Sequence, residues 1–313
     1  MIYTVTPNPA LDITWGVPGW ERGSTTRVTD IRESPGGKGL NVARVADQLG
    51  ASACAVGPLG GATGERVRDL FTSLAPSVRT RWIDSPVPTR RSVALVDEQV
   101  SIFNEAGYAP PREVWSRSAD FLASVLTPGD VCAICGSLPG DSRASDIAPI
   151  FEAVKASGAR IILDTSGTAL VDAASQADVL KPNEHELRAA TGCSTIDEGA
   201  RMLLGRGATW VFVSRGADGM DLYSHGGSWH ASSDPTITGN PTGAGDAAVA
   251  AIATHLEARL LLTEKDGLMA LSDAVATSTA AVVRPTAGEI DMSVRASVLA
   301  AATPIRLSAG TIH

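Results

Sequence analysis

Ile237-Thr238-Gly239-Asn240-Pro241-Thr242-Gly243-Ala244-Gly245-Asp246-Ala247-Ala248 is the stretch whose reading decides the fold. The turn cluster Gly239-Asn240-Pro241 leads into Gly-x-Gly-Asp and then into a small-residue run from Ala247 to Ala253, which predicts the first turns of a buried helix. Such a helix start is bare of side chains. Unpaired N–H groups at Gly243, Ala244 and Gly245, with the positive end of the helix dipole, form a site that an anion such as a phosphate can approach closely. Asp246 falls in the first turn, beside that anion. Helix donors and the dipole favour its ionised form, so it reads as a weak base that takes a proton late, once a hydroxyl is attacking phosphorus. The competing reading is a helix start whose glycines serve close packing and whose Asp is a cap.

Gly243-Ala244-Gly245-Asp246-Ala247-Ala248 also satisfies the loose dinucleotide pattern G-x-G-x-x-A. That fingerprint needs a strand after its helix. Here the helical pattern runs to about residue 255 and is followed by a second one at 264–283, which argues against a dehydrogenase.

The surrounding chain bounds the class. Its 313 residues, 44% hydrophobic, can bury a large core, and a net charge of -8 argues against a general nucleic-acid binder. No run approaches 18 apolar residues and residues 1–10 carry no basic leader, so a soluble, cytoplasmic protein with no membrane partner is expected. Cys54, Cys132, Cys135 and Cys193 are too scattered for a disulfide scaffold. Cys132-Ala133-Ile134-Cys135 spells C-x-x-C but lies in an apolar run that reads as a buried strand, where residues three apart face opposite ways. The five histidines show no metal-ligand spacing. The chain has 4 lysines against 22 arginines, and Lys38 and Lys181 both fall inside the motifs below.

Strand-like runs recur at 2–6, 53–57, 131–135, 160–163, 179–181 and 210–214. Helical patterns at 41–49, 65–74, 112–126, 145–156 and 184–190 lie between most of them. This alternation predicts a mostly parallel sheet wrapped by helices, with ligand sites at the carboxyl ends of the strands. Residues 12–17 with 26–32, and 91–96 with 99–103, alternate apolar and polar without intervening helices. They read as hairpins of a small second sheet, a lid.

Several motifs sit at those strand ends. Thr6-Pro7-Asn8-Pro9-Ala10-Leu11-Asp12 stops the first strand and delivers Asp12, which suits sugar hydroxyls or, alternatively, a plain turn. Ser34-Pro35-Gly36-Gly37-Lys38-Gly39-Leu40-Asn41 offers bare backbone, a charge and an Asn that opens a helix; it matches no P-loop. Pro88-Thr89-Arg90-Arg91 brings a guanidinium that could grip a phosphate or sit solvated. Gly136-Ser137-Leu138-Pro139 presents the Ser137 hydroxyl after a buried strand. In Lys181-Pro182-Asn183-Glu184-His185-Glu186, Asn183 and Glu186 share one helical face. They fit a hydrated Mg²⁺ carried by a nucleotide, or equally a capping box. Ser214-Arg215-Gly216-Ala217-Asp218-Gly219 is a strand-linking turn that could run along a nucleotide.

Taken in order, these motifs resemble the PfkB carbohydrate kinases of the ribokinase-like superfamily over residues 4–286, and the N-terminal pair resembles the branch acting on sugar phosphates. The resemblance implies a ribokinase-like three-layer α/β/α sandwich with a β-sheet lid. It also implies a single kinase domain over 1–313, with lid strands from about 12–32 and 88–104. It makes Asp246 the base and Gly243, Ala244 and Gly245 the anion hole. Asp12, Gly36, Gly37, Lys38 and Asn41 would hold the sugar, and Arg90 and Ser137 its phosphate. Asn183, Ser214, Gly216, Gly219 and Thr279 would line ATP, and Glu186 would organise Mg²⁺ through water. Fructose 1-phosphate is the first expected acceptor; tagatose 6-phosphate and fructose 6-phosphate follow, then an unphosphorylated sugar or nucleoside. A homodimer through the lid is implied. A sugar-phosphate or nucleotide sensor that kept the fold is the non-enzyme alternative, which the intact Gly-x-Gly-Asp disfavours.

Overall fold

A computed structural model describes residues 1–309. From the amino end, β1 (Ile2–Val5), β2 (Ala10–Gly16) and β3 (Asp30–Gly36) precede α1 (Lys38–Gln48). Next come β4 (Ala53–Leu59), α2 (Gly61–Leu74), β5 (Arg79–Asp84), β6 (Arg90–Val96), β7 (Val100–Asn104) and α3 (Arg112–Val125). The middle of the chain holds β8 (Val131–Cys135), α4 (Ala148–Ser157), β9 (Arg160–Asp164), α5 (Thr168–Asp172), β10 (Val179–Leu180), α6 (Glu184–Thr191) and α7 (Ile196–Gly205). The last part is β11 (Trp210–Ser214), β12 (Met220–Ser224), β13 (Gly227–Ala231), α8 (Ala244–Leu256), α9 (Glu264–Val282), α10 (Met292–Ala301) and β14 (Ile305–Ala309).

The strands build a ten-stranded sheet in the order β14-β13-β12-β11-β10-β9-β8-β1-β4-β5 and a separate four-stranded sheet, β3-β2-β6-β7. From β5 to β11 the large sheet is parallel, and the remaining strands close it antiparallel. Every residue of β8 is buried, as an apolar strand covered on both faces must be. One face is covered by α1, α2, α8 and α9, through Leu40, Val42, Phe71, Ala250 and Ala274. The other is covered by α3, α4, α6 and α7, through Trp115, Phe151, Leu187 and Leu203. The expected three layers are therefore present. The alanine run of α8 is wholly buried from Ala247 to Ala253, and its small side chains let this helix pack closely between α1 and α9.

The six large-sheet strands given ranges from the sequence agree to within two residues at their ends, β5, β13 and β14 have no expected counterpart, and Cys132 and Cys135 lie buried as free thiols in β8. Burial pushes the Cys132 thiol up to about 12. The two hairpins join in one small sheet, as expected, because β2 also pairs with β6 in parallel. Three features differ. The third strand covers Asp30–Gly36 instead of 26–32, because its first five residues are exposed and no covered face anchors the register. Helix α1 begins at Lys38, three residues before Asn41. The 145–156 pattern splits into a 3-10 turn, Ala144–Ile147, and α4, with a proline in the first turn of α4.

Candidate active site

The residues before α8 are zipped to the last residue of α9 and the chain just beyond it. Asn240 N–H donates to Val282 O at 2.8 Å and its Nδ2 to Pro285 O at 3.1 Å, while its Oδ1 accepts from Thr242 N–H at 3.0 Å. Gly243 caps the helix with φ +86°, and a Cβ there would lie 2.7 Å from Ala287 Cβ, so only glycine fits. Ala244 N–H is already donated to Pro241 O at 3.2 Å, which removes it from the expected trio of free donors. The Gly243 and Gly245 amides have no acceptor among the described residues.

Asp246 follows at once and is 6% exposed. Asn41 Nδ2 donates to its Oδ2 at 2.8 Å. Burial raises its pKa to about 7, and the nearby Asp164 carboxylate adds to the rise; Lys38, Asn41 and Lys181 only partly oppose it. Loss of water thus opposes the ionised form that the helix start was expected to favour. A carboxylate poised near neutrality is a matched general base.

Beside it lies a charge cluster that local sequence did not reveal. Asp164, fully buried at the end of β9, accepts from Lys38 Nζ at 2.8 Å through Oδ1; Lys181 Nζ stands 3.4 Å from its Oδ2. Register explains the second pair, because Leu163 lies opposite Leu180 and the next residues, Asp164 and Lys181, leave the adjacent strands together. Burial would raise the Asp164 pKa, but Lys181 and Lys38 hold it below the ordinary carboxylate value. Burial would likewise lower Lys38, yet Asp164, Glu186 and Asp246 keep its ammonium firmly charged. A Cβ at Gly245 would stand 3.3 Å from Lys181 Nζ, so the bare helix start and the buried ammonium face one another. The available signal was a carboxylate ending the apolar run 160–163.

Asn183 and Glu186 form the capping box: Asn183 N–H donates to Glu186 Oε2 at 2.9 Å and Glu186 N–H to Asn183 Oδ1 at 2.7 Å. Glu186 Oε1 stays 3.6 Å from Lys38 Nζ, turned towards the charge cluster. The cap and a role at the site are therefore compatible.

The sugar-side candidates cluster around β2 and the start of α1. Asp12 pairs with Ser34 across the β2–β3 ladder, and a side chain at Gly36 would overlap its carboxyl. Burial raises the Asp12 pKa to about 6 against the pull of Arg90. Gly37, φ +128°, caps α1, whose first residue is Lys38. Arg90 is half-buried and grips backbone, donating to Asn8 O at 3.2 Å and Glu105 O at 3.3 Å. Ser137 is exposed in the loop after β8, where a Cβ at Gly136 would stand 3.9 Å from Lys38 Cβ.

On the other side, Ser214 bridges to Asn183 and donates its N–H to Pro182 O at 3.1 Å. Gly216 is open, and Gly219, φ +100°, turns beneath the Ala231 carbonyl. Thr279 is not presented to this surface: it is buried and its hydroxyl donates to Val275 O at 2.8 Å, as threonines within helices commonly do.

A model of the pfkB family carbohydrate kinases matches residues 10–293. Among solved structures, phosphofructokinase-2 from Escherichia coli in complex with fructose-6-phosphate is 28% identical with a TM-score of 0.82, covering 96% of this chain and 98% of that one. Two Thermotoga maritima proteins, each 20% identical, share the fold. One is described as a possible 1-phosphofructokinase (TM-score 0.77, covering 98% and 99%), the other as ribokinase (TM-score 0.72, covering 96% and 99%). A buried carboxylate at a glycine-bare helix start, set in a ribokinase-like sheet and matched over most of its length, places the chain in the PfkB family of carbohydrate kinases.

Proposed function

We propose that the protein transfers the γ-phosphoryl group of ATP to a hydroxyl of a phosphorylated ketohexose, with Asp246 as general base. The observation that carries this reading is the pairing of a buried carboxylate, pKa about 7, with unengaged Gly243 and Gly245 amides in the same helix turn. Asp246 takes the proton of the attacking hydroxyl, and Asn41 holds the carboxylate towards it. The two amides and Lys181 meet the charge of the transferred group. Asp164 holds Lys38 and Lys181 in place and keeps Lys38 charged.

The donor set fits Mg²⁺-ATP. Among the described residues no group of three His, Cys, Asp or Glu side chains forms a cage, and Glu186 Oε1 beside Lys38 suits a water-mediated contact to a metal brought by the nucleotide. When bound, Mg²⁺-ATP supplies the phosphoryl group and spreads its charge. Asn183, Ser214, Gly216 and Gly219 are assigned to the nucleotide, and Asp12, Gly36, Gly37, Lys38, Arg90 and Ser137 to the sugar phosphate.

Fructose 1-phosphate is the acceptor first expected from the sequence, and the 28% identical relative bound to fructose-6-phosphate favours that isomer as the second reading. Exposed Ile31, Val100, Ile102 and Phe103 on the lid support a homodimer through that sheet. No described helix is long and apolar enough to cross a membrane, and we assign the protein to the cytoplasm with its substrates.

The test is a coupled ADP-release assay with Mg²⁺-ATP against fructose 1-phosphate, fructose 6-phosphate, tagatose 6-phosphate, fructose, ribose and adenosine. Selective turnover of one phosphorylated ketose is expected. ATP binding without turnover of any acceptor would overturn the reading in favour of a sensor.

A further inference from the structure

Among the described residues, the mechanism leaves one buried cation without a role. Arg44 lies in α1, one turn beyond Asn41 and on the same face, and is only 8% exposed. Its Nη1 donates to Ala287 O at 2.8 Å and its Nη2 to Glu289 Oε1 at 3.2 Å. The other oxygen of Glu289 accepts from Arg284 Nη2 at 3.2 Å, just beyond the end of α9. One turn further along α1, Gln48 donates to Gly288 O at 2.8 Å and accepts from Ile290 N–H at 3.1 Å. The segment 284–290 is therefore tied to α1 through four hydrogen bonds and charge pairs, every one of them outside the reacting groups, and Arg284 braces Glu289 from within the segment.

That segment touches the anion hole. A Cβ at Gly243 would lie 2.7 Å from Ala287 Cβ, and one at Gly288 would meet Arg44 Nη1 at 2.7 Å and Asn41 Oδ1 at 3.1 Å. Asn240 Nδ2 holds Pro285 O from the other side. A burial this deep is costly for a guanidinium and is tolerable only with its partners in place.

We propose that Arg44 is a positioning residue: by locking Ala287 and Glu289 to α1, it seats the 284–289 segment against Gly243. One helix thereby sets both halves of the centre, with Asn41 aiming Asp246 and Arg44 fixing the amides opposite it. Arg44 itself touches neither nucleotide nor sugar.

The inference rests on the kinase reading for its effect on turnover, and on amide exchange independently of it. Arg44→Met is expected to lower kcat by about 10²-fold, the scale of a small misplacement of a reacting group. The KM for the sugar phosphate and the affinity for ADP, which lacks the transferred phosphoryl, stay within about threefold by the same logic. Arg44→Lys, which can reach one acceptor but not both, falls between Arg44→Met and the wild type. In Arg44→Ala, added guanidinium ion restores part of the turnover. Hydrogen exchange at residues 239–246 rises in Arg44→Met and Arg44→Lys while the remainder of α8 keeps its protection.

Unchanged exchange at 239–246 in both variants would overturn the proposal, as would a loss of kcat matched by a general loss of protection. If Arg44→Met fails to fold, Arg44→Lys alone carries the same comparison. A wild-type protein that turns over no acceptor defeats the kinase reading, and the exchange experiment still decides the brace.

Discussion

The far end of the Asp246 helix offers a perturbation whose size follows from the structure. Asp273 of α9, nearly buried, accepts from Arg295 Nη2 at 2.7 Å and Nε at 2.9 Å, from Thr277 Oγ1 at 2.9 Å, and contacts His255 Nε2 at 2.9 Å. His255 belongs to α8 and Arg295 to α10, so one carboxylate joins three helices. Burial pulls against ionisation, but the His255, Arg295 and Thr277 contacts win and hold the pKa near 2, against an ordinary 3.8. At 1.36 kcal/mol per pKa unit, the charged form contributes roughly 2.5 kcal/mol. The folded-state pKa is depressed, so this stability is fully present above about pH 4 and is lost as pH falls towards 2. Asp273→Asn, which keeps the shape and removes the charge, should lower the midpoint of thermal unfolding by about 4 °C at pH 7 for a chain this long. The gap should narrow to about half at pH 3. Differential scanning calorimetry of both proteins at the two pH values measures it. A gap that is absent at pH 7, or that is the same at both pH values, would refute the electrostatic argument.

Other outcomes follow from the centre itself. A base with pKa about 7 predicts that kcat/KM rises through about pH 7 and levels off above it; Asn41→Ala, which removes a donor to the charged form, should move that limb upward. A profile flat from pH 5 to 8 would remove Asp246 from the role. Gly245→Ala puts a methyl between the helix start and Lys181, and should lower kcat by about 10²-fold while leaving the unfolding midpoint equal or higher. On the lid, Ile102→Lys with Phe103→Lys should convert a dimer to a monomer in light scattering; a variant of unchanged mass would place the interface elsewhere.

What could be read in advance divides along physical lines. The parallel strands were legible because strands covered on both faces are long apolar runs, as β8 is. The helix start at Gly243 was legible because glycine, proline and aspartate punctuate the chain locally. Asp164 was not, since its meaning depends on Lys38 and Lys181, which lie far away in sequence and adjacent only through the sheet. For the same reason the local reading of Asp246 took in the helix start but not its burial or the Asp164 charge, which are not local. The third strand was displaced because an exposed strand carries little register information, and β14 pairs with a partner some 80 residues earlier, beyond the reach of any local pattern. Asn183 and Glu186 were legible as a pair, and their capping geometry left one oxygen turned towards the site.

The central claim is that Asp246 removes the proton from a ketohexose-phosphate hydroxyl, and Asp246→Asn tests it most directly. Turnover of the acceptor selected by the panel should fall about 10³-fold or more, with ATP affinity within about threefold of the wild type. An Asn variant that turns over at the wild-type rate would contradict the account.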